Sequence, residues 1–226
     1  MITRFYLFSN IFMVNEMPKT DPFEKYTDAY DDWFARNPEA YQAELAAIRE
    51  LLPSPLGRGV EVGVGTGKFA VPLGIGIGVE PAAQMAAKAV ALGVEVVPGV
   101  AEQLPFGNDE FDCVLMVTTI CFVDDIAASF REAQRILKPG GCLLVGFVDK
   151  ESELGRRYLA KREESRFYKA ATFFSTREVL DHLDDAGFGA VEIRQTLLPG
   201  EALTDVREGY GEGAFIVVKC LKLDLR

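Results

Sequence analysis

Three closely spaced glycines and two glutamates mark the part of the chain best suited to chemistry. Gly63, Gly65 and Gly67 occupy every second position directly after an apolar run that contains Glu61. Glycines let a backbone turn tightly and approach a ligand closely, because a β-carbon there would collide with it. Glu80 ends the next apolar run, where a carboxylate can accept hydrogen bonds from ribose hydroxyl groups. This layout predicts a nucleoside-binding site between two neighbouring strands.

The spacing of the glycines narrows the choice of nucleoside. A dinucleotide-binding turn reads G-x-G-x-x-G, and its third glycine would fall at Lys68 in this chain. The chain reads G-x-G-x-G instead, which disfavours a nicotinamide dinucleotide. Small residues after a strand also occur in plain turns that bind nothing, so the turn by itself does not establish a ligand.

Further motifs follow the glycine turn in a definite order. After Glu80 come the segments Leu104-Pro105-Phe106, Phe111-Asp112-Cys113-Val114 and Leu137-Lys138-Pro139-Gly140-Gly141. Together with the glycine turn, this series resembles the class I S-adenosylmethionine-dependent methyltransferase superfamily, in its small-molecule branch of methyltransferase domain 11-like proteins. The resemblance is strongest over residues 58–148, and it depends on the motifs jointly, because none is specific singly.

The resemblance implies a site for the cofactor S-adenosylmethionine and its product S-adenosylhomocysteine. The methionine portion would lie at the glycine turn, with Glu61 binding its amino group or only ordering the turn. Glu80 would bind the ribose. Relatives commonly have an aspartate at the position of Val100, so Glu102 or a backbone carbonyl is left to meet the adenine amino group. The implied cofactor-binding residues are Glu61, Gly63, Gly65, Gly67, Glu80, Pro81, Ala101, Glu102, Thr118 and Thr119.

The chemistry that the resemblance implies is methyl transfer to a small molecule by in-line displacement. Holding the donor and the acceptor in line can supply on the order of 7–11 kcal/mol of the barrier, so a strong general base is not mandatory. The catalytic residues stay unknown, and the positioning candidates are Tyr26, Tyr30, Thr118 and Thr119. The two tyrosines are four residues apart and would share one helix face, either covering the cofactor or packing the helix onto the sheet.

The elements that must hold these residues alternate between strand and helix. This alternation predicts an α/β, Rossmann-like, doubly wound fold with helices on both faces of a mainly parallel sheet. The resemblance implies seven strands with an antiparallel last strand. The predicted strands are 59–63, 76–80, 94–98, 112–118, 141–148, 190–197 and 213–222. The predicted helices of the core are 82–92, 126–137 and 176–186, with a very short one after the glycine turn.

Two helices are predicted before this core, and each begins at an Asx-Pro pair, Asp21-Pro22 and Asn37-Pro38. An insertion rich in basic and aromatic residues follows the fifth strand. It is either a solvated amphipathic helix or a cap that shapes the acceptor pocket and attracts an anionic substrate. The predicted divisions are an N-terminal arm over 1–20, an N-terminal helical lid over 21–57 and a methyltransferase domain over 58–226, with the cap insertion at 149–174.

Composition and charge limit the partners of the chain. Its 226 residues are 49% hydrophobic, which is enough to bury a full core. A formal net charge of −10 repels phosphate backbones and anionic lipid surfaces, so we expect neither nucleic acid nor a membrane as a partner. The four cysteines lie far apart and His182 is the sole histidine. We therefore expect no metal site, and buried thiols in a reducing, cytoplasmic location.

Other functions stay open from the residues themselves. The chain could be an NAD(P)-dependent oxidoreductase, a non-catalytic protein that binds S-adenosylmethionine or a nucleoside, or an aminopropyl transferase that uses a decarboxylated donor. The sequence does not indicate whether a nitrogen, oxygen, carbon or sulfur atom accepts the methyl group. It does not indicate the oligomeric state either.

Overall fold

The computed structural model describes residues 19–202 and 205–223, so the predicted arm over 1–20 lies almost wholly outside the described residues. The strands are β1 (Gly59–Val62), β2 (Ile77–Val79), β3 (Glu95–Val97), β4 (Phe111–Val117), β5 (Leu137–Val148), β6 (Phe188–Thr196), β7 (Arg207–Glu208) and β8 (Phe215–Lys222). The α-helices are α1 (Asp21–Lys25), α2 (Thr27–Arg36), α3 (Pro38–Leu51), α4 (Ala70–Leu73), α5 (Ala83–Ala91), α6 (Ile126–Ile136), α7 (Glu153–Ala160) and α8 (Thr176–Asp185).

The strands form one twisted sheet in the order β3-β2-β1-β4-β5-β8-β6-β7. Strands β1 to β5 pair in parallel, whereas β8 inserts antiparallel between β5 and β6. The direction of winding reverses between β1 and β4, and ligands of open α/β sheets bind outside the carboxyl ends of the strands at such a point. The predicted α/β class, mainly parallel sheet and antiparallel last strand are confirmed.

Each face of the sheet is covered by its own apolar core, as a parallel sheet requires. On one face, Phe130 and Ile136 of α6 and Leu183 of α8 are buried against the sheet. On the other face, Leu45 and Ile48 of α3 fill the same role. The short helix α4 joins this second core. The carboxyl ends of the strands are therefore held between two rigid layers.

The structure differs from the predicted elements at several boundaries. Strand β5 begins at Leu137 rather than near Gly141, because Leu137 pairs with Phe111 of β4 before the register shifts. The two-residue strand β7 pairs with β6 and adds an eighth strand to the predicted seven. Both differences arise from pairing across the sheet, which local sequence patterns do not report.

The first predicted helix is broken into two. Tyr26 has φ −125° and ψ 31°, which are not helical, and it separates α1 from α2. The Asx-Pro pair at Asn37-Pro38 does begin α3, with Asn37 as the N-cap residue, although its side-chain amide donates to the carbonyl of Trp33 in α2 rather than capping α3. At α1 the N-cap residue is Thr20, and Asp21 is the first residue of the helix. Ser175 and Glu178 have the sequence spacing of a capping box, and this capping box is present at the start of α8.

Within the described residues, none of the helices combines the length and the apolar character that crossing a bilayer requires.

Candidate active site

A cavity of about 600 Å³ opens at the carboxyl ends of the strands, under α1 and α2. The segment 149–174, which we call the cap segment, closes another side of it. The cavity brings together most of the residues predicted from the sequence, namely Tyr30, Gly63, Gly65, Glu80, Pro81, Ala101, Glu102, Thr118 and Thr119. Tyr26, Glu61 and Gly67 do not line it, for reasons that differ in each case.

The glycine turn is held by backbone hydrogen bonds between β1 and β2. The amides of Gly63 and Val64 donate to the carbonyl of Val79 at 2.8 and 3.0 Å. Gly63 and Gly65 have φ of +72° and +55°, a region that other residues rarely adopt. A β-carbon on Gly63 would lie 2.5 Å from the Thr119 hydroxyl oxygen. The turn therefore needs glycine both for its backbone shape and for its closeness to the loop after β4.

Gly67 serves packing rather than the cavity wall. Its φ is +82°, and a β-carbon there would stand 3.5 Å from the Cα of Ala89 in α5. The same turn thus places Gly63 and Gly65 at the cavity and Gly67 against the neighbouring helix.

Glu80 faces the cavity from the end of β2. Its two carboxylate oxygens accept from the amides of Gly65 and Ala82, each at 2.9 Å. Burial raises the pKa of Glu80, while these two donors act in the opposite direction. Each carboxylate oxygen has a second lone pair, so the carboxylate can hold the turn and still accept hydroxyl groups from a ligand.

Glu61 lies behind the glycine turn, with only 1% of its surface exposed. Its oxygen Oε2 is buried and has no hydrogen-bond partner. Burial raises the pKa of Glu61 well above its usual range, the backbone amide of Ala70 lowers it, and the charge of Glu80 raises it further. An unpaired buried polar atom is rare in folded proteins. This atom fits the amino group of a ligand bound at the turn.

Tyr30 of α2 reaches into the cavity, with its hydroxyl 3.5 Å from where a β-carbon of Gly65 would lie. Burial and then the charges of Glu61 and Glu80 raise the pKa of Tyr30, so the phenol stays protonated and can donate a hydrogen bond. Tyr26 is 39% exposed, and the guanidinium of Arg166 lies over its ring at 5.2 Å. Of the two tyrosines predicted from the sequence, Tyr30 lines the cavity and Tyr26 does not.

Asp31 fastens α2 to the glycine turn. Its carboxylate accepts from the Thr66 hydroxyl at 2.7 Å and from Lys88 of α5 at 2.9 Å. Lys68 lies 3.5 Å from the same carboxylate. These contacts fix the helix that carries Tyr30 directly above the turn.

The loop after β4 supports the turn from the other side. Thr118 has φ +54°, an unusual value for a β-branched residue. Its backbone amide donates to the carbonyl of Gly146 at 2.7 Å. The Thr119 hydroxyl donates to the carbonyl of Val62 at 3.0 Å. Thr119 thus braces the end of β1, whereas Thr118 presents its side chain at the cavity.

At the far end of the cavity lie Val100, Ala101 and Glu102. Glu102 accepts from the amides of Asp124 and Asp125 through Oε1, at 2.7 and 3.3 Å. Its other oxygen, Oε2, forms no hydrogen bond within the described residues. That oxygen is available to the amino group of a bound base.

The cap segment contributes aromatic rings to the cavity more than positive charge. Its lining residues are Tyr158, Ser165, Arg166, Phe167 and Tyr168. The other basic residues of the segment do not line the cavity, namely Lys150, Arg156, Arg157, Lys161, Arg162 and Lys169. The ring of Phe167 lies 5.4 Å from that of Phe23 in α1, so the cap segment meets the N-terminal helices over the cavity.

Among the cavity residues that the sequence analysis did not single out, one is an acid. Glu44 of α3 lines the cavity and is 5% exposed. Burial raises the pKa of Glu44 to about 8. A signal for it exists in the sequence, because Tyr41, Glu44, Leu45 and Ile48 follow the i, i+3, i+4, i+7 spacing of one buried helix face. An acid inside such a stripe is the anomaly that points to a site.

Comparison with known proteins places these features in context. A family model described as a methyltransferase domain matches residues 60–145. A crystal structure from Thermotoga maritima, named as a SAM-dependent methyltransferase and possible histamine N-methyltransferase, is 51% identical. The match covers 90% of this chain and 99% of that one, with a TM-score of 0.87.

Two similar proteins are named only as uncharacterized. One, from Methanocaldococcus jannaschii, is 40% identical over 204 residues, covering 89% of this chain and 98% of the relative. The other, from Mycobacterium tuberculosis, is 34% identical over 199 residues, covering 86% of this chain and 70% of the relative. Similarity to these proteins extends beyond the glycine turn to the N-terminal helices and the cap segment.

Proposed function

We propose that this chain, which belongs to the S-adenosylmethionine-dependent methyltransferases, transfers the methyl group of S-adenosylmethionine to a small-molecule acceptor by in-line displacement. The main observation behind the proposal is that two buried acids accompany the glycine turn and differ in their hydrogen bonding. Glu80 is hydrogen-bonded at the cavity wall, and Glu61 holds an unpaired oxygen behind the turn. A ligand with hydroxyl groups at one point and an amino group at another suits this arrangement.

The chain's own residues would hold the cofactor as follows. Gly63 and Gly65 admit the methionine portion, and Glu61 pairs with its amino group. Glu80 accepts the two ribose hydroxyls. The base lies by Ala101, with its amino group at Oε2 of Glu102. Pro81 and Thr118 complete the wall.

Bound there, S-adenosylmethionine supplies a methyl carbon activated by a positive sulfur. The protein's contribution is to align this carbon with the acceptor and to exclude water. Tyr30 and Thr118 both line the space and would position the reacting groups. Tyr30 stays protonated, so it acts as a donor and not as a proton acceptor.

A small acceptor suits the enclosed shape of the cavity. The ring of Phe23 contacts those of Phe122 and Phe167 over it, with ring centres 4.7 Å and 5.4 Å apart. A small organic molecule suits such an enclosed space, whereas a nucleic acid would be repelled by the net charge of −10. The Thermotoga relative, named as a possible histamine N-methyltransferase, makes an amine one candidate acceptor.

We also propose a cytoplasmic location. The four cysteines are buried and unpaired, namely Cys113, Cys121, Cys142 and Cys220. Thiols of this kind persist in a reducing compartment.

Calorimetry and an acceptor screen test the proposed function. We expect the purified chain to bind S-adenosylmethionine and S-adenosylhomocysteine at one site per chain, and not to bind NADH. With a suitable acceptor it should release S-adenosylhomocysteine, measured by mass spectrometry. Binding without any release over a broad acceptor screen would favour a non-catalytic binding protein, and NADH binding at this site would favour an oxidoreductase.

A further inference from the structure

Among the residues that the structure describes, Glu44 is the one acid lining the cavity that the proposed cofactor contacts leave unused. Its side chain projects from α3 into the cavity and is almost completely buried. Within the described residues, no hydrogen bond or ion pair reaches its carboxylate. A buried carboxyl group without a partner is costly, so its retention in a well-packed helix points to a ligand that completes it.

Buried acidic side chains are concentrated at the cavity. Glu44, Glu61 and Glu80 are all buried at or beside it. S-adenosylmethionine would bring an amino group to Glu61 and hydroxyl groups to Glu80, which leaves Glu44 without a counterpart.

The basic residues on the cavity wall do not neutralise Glu44. Lys19 lies within hydrogen-bond distance of the carbonyl of Val123, and Arg36 donates to a carbonyl of its own helix. Arg166 is exposed and lies over the ring of Tyr26. None of them is within ion-pair distance of Glu44 among the contacts of the described residues.

Aromatic rings enclose the space that Glu44 faces. Tyr158 and Tyr168 stack with ring centres 4.9 Å apart, and both line the cavity. Burial raises the pKa of each of these tyrosines, and the charge of Glu44 raises both further, which places the three groups in one electrostatic neighbourhood. Trp33 and Phe122 add two more aromatic walls. Aromatic faces and one carboxylate are the surroundings that favour an organic cation.

We propose that Glu44 binds the protonated amino group of the methyl acceptor, and that the acceptor is therefore a small amine whose carbon frame lies among the aromatic rings. Before this nitrogen is methylated, its proton would pass to the carboxylate of Glu44. The freed lone pair then forms the new N–C bond as the S–C bond to the methyl group breaks. This inference rests on the proposed methyltransferase function and adds to it the substrate class and the residue that selects it. It departs from the sequence-based expectation of an anionic substrate, since the basic residues of the cap segment, except Arg166, lie away from the cavity.

The test measures binding to the chain saturated with S-adenosylhomocysteine, by calorimetry. The probes are histamine, tyramine and tryptamine, each beside the alcohol and the carboxylate with the same ring. We expect at least one amine to bind, its alcohol to bind at least about tenfold more weakly, and its carboxylate not to bind, because the pairing is charge-assisted.

Substitutions at two positions of α3 distinguish a specific role of Glu44 from a general effect of negative charge. E44Q should lower the affinity for the amine by about 10- to 100-fold, while E39Q, an exposed change of the same kind on α3, should leave it unchanged. E44Q keeps the shape of the protonated side chain, so we expect it to fold, and circular dichroism melting checks this. E44D keeps the charge and should retain part of the affinity.

Several outcomes would overturn the inference while the proposed function stands. These are equal binding of amine and alcohol, preferential binding of the carboxylate, absence of binding by all three amines, and unchanged amine affinity in E44Q. Loss of S-adenosylhomocysteine affinity in E44Q would reassign Glu44 to the cofactor. If the wild-type chain binds neither S-adenosylmethionine nor S-adenosylhomocysteine, the proposed function itself fails, and the inference fails with it.

Discussion

The two halves of the cavity are built in different ways. The half at the glycine turn depends on the backbone: the amides of Gly63, Val64 and Gly65 all have specific acceptors on or after β2. The half under the cap segment depends on side chains from distant parts of the chain, such as Phe23 and Phe167. Backbone contacts between consecutive strands tolerate few substitutions, whereas aromatic contacts can be rebuilt with other residues. The first half thus suits a constant cofactor and the second a variable acceptor.

The largest expected effect is the loss of cofactor binding in Gly65→Val. The new side chain would stand in a left-handed backbone position, which disfavours it by about 1–2 kcal/mol, and would project toward Tyr30 in the cavity. We expect the affinity for S-adenosylmethionine to fall by more than about 100-fold, measured by calorimetry.

A matched control separates backbone strain from blocking of the cavity. Gly74 has φ +75° and open space around its β-carbon position. Gly74→Val should lose similar stability but keep the affinity. Equal losses of affinity in the two variants would remove the glycine turn from the cofactor site.

The second prediction concerns the pH dependence of stability in Glu44→Gln. The pKa of Glu44 is raised from 4.5 to about 8, so the folded state holds a proton that the unfolded state has released between these values. The stability of the wild type relative to E44Q should therefore be greatest below pH 4.5. It should decline as the pH rises from 4.5 and level off above about 8. At about 1.4 kcal/mol per pKa unit, the change amounts to a few kcal/mol.

Urea unfolding of both proteins at several pH values measures this difference. Glu61 and Glu80, whose pKa values are also raised, are common to both proteins and cancel. The neighbouring tyrosines Tyr30, Tyr158 and Tyr168 stay protonated over the range because their pKa values are raised as well. Parallel stability curves for E44Q and wild type would show that Glu44 is ionised normally.

The third prediction is a moderate loss of cofactor affinity in Glu80→Ala. Removal of this carboxylate takes away the proposed ribose partner and leaves the amides of Gly65 and Ala82 without their acceptor. We expect binding of S-adenosylmethionine to weaken by about 1–3 kcal/mol in calorimetry. Glu95→Ala, an exposed change on β3, serves as the control. Unchanged affinity in Glu80→Ala would contradict the ribose role.

The smallest effect is expected in Phe167→Ala, on the acceptor half. The ring of Phe167 contacts those of Phe23 and Tyr30, and such aromatic pairs contribute about 0.5–1.5 kcal/mol each. We expect KM for the acceptor to rise about tenfold while the affinity for S-adenosylmethionine changes little. Leu159→Ala, in the same segment but 39% exposed and away from the cavity, should alter neither. If Phe167→Ala weakens the binding of cofactor and of acceptor equally, the two halves of the cavity do not act independently.

The features that could be predicted from the sequence are those whose cause is local. The glycine turn, Glu80 at the end of β2 and the capping box at Ser175 each depend on residues close in the chain. The break at Tyr26 could not be predicted, because the flanking residues continue a helical pattern. The placement of Glu44 in one cavity with Tyr158 and Tyr168 depends on how segments far apart in the sequence come together in the fold.

The periodic apolar pattern of the sequence predicts the order of strands, helices and turns, since each period reflects a local backbone geometry. The position of an acid in a shared cavity depends instead on contacts between segments far apart in sequence. Glu61 and Glu80 belong to the first kind, because the strand ends that carry them pair directly as neighbours in the sheet. Glu44 belongs to the second. Only the packed fold determines that its carboxyl group is buried without a partner, because none of the described segments around it supplies a hydrogen-bond donor or a cation.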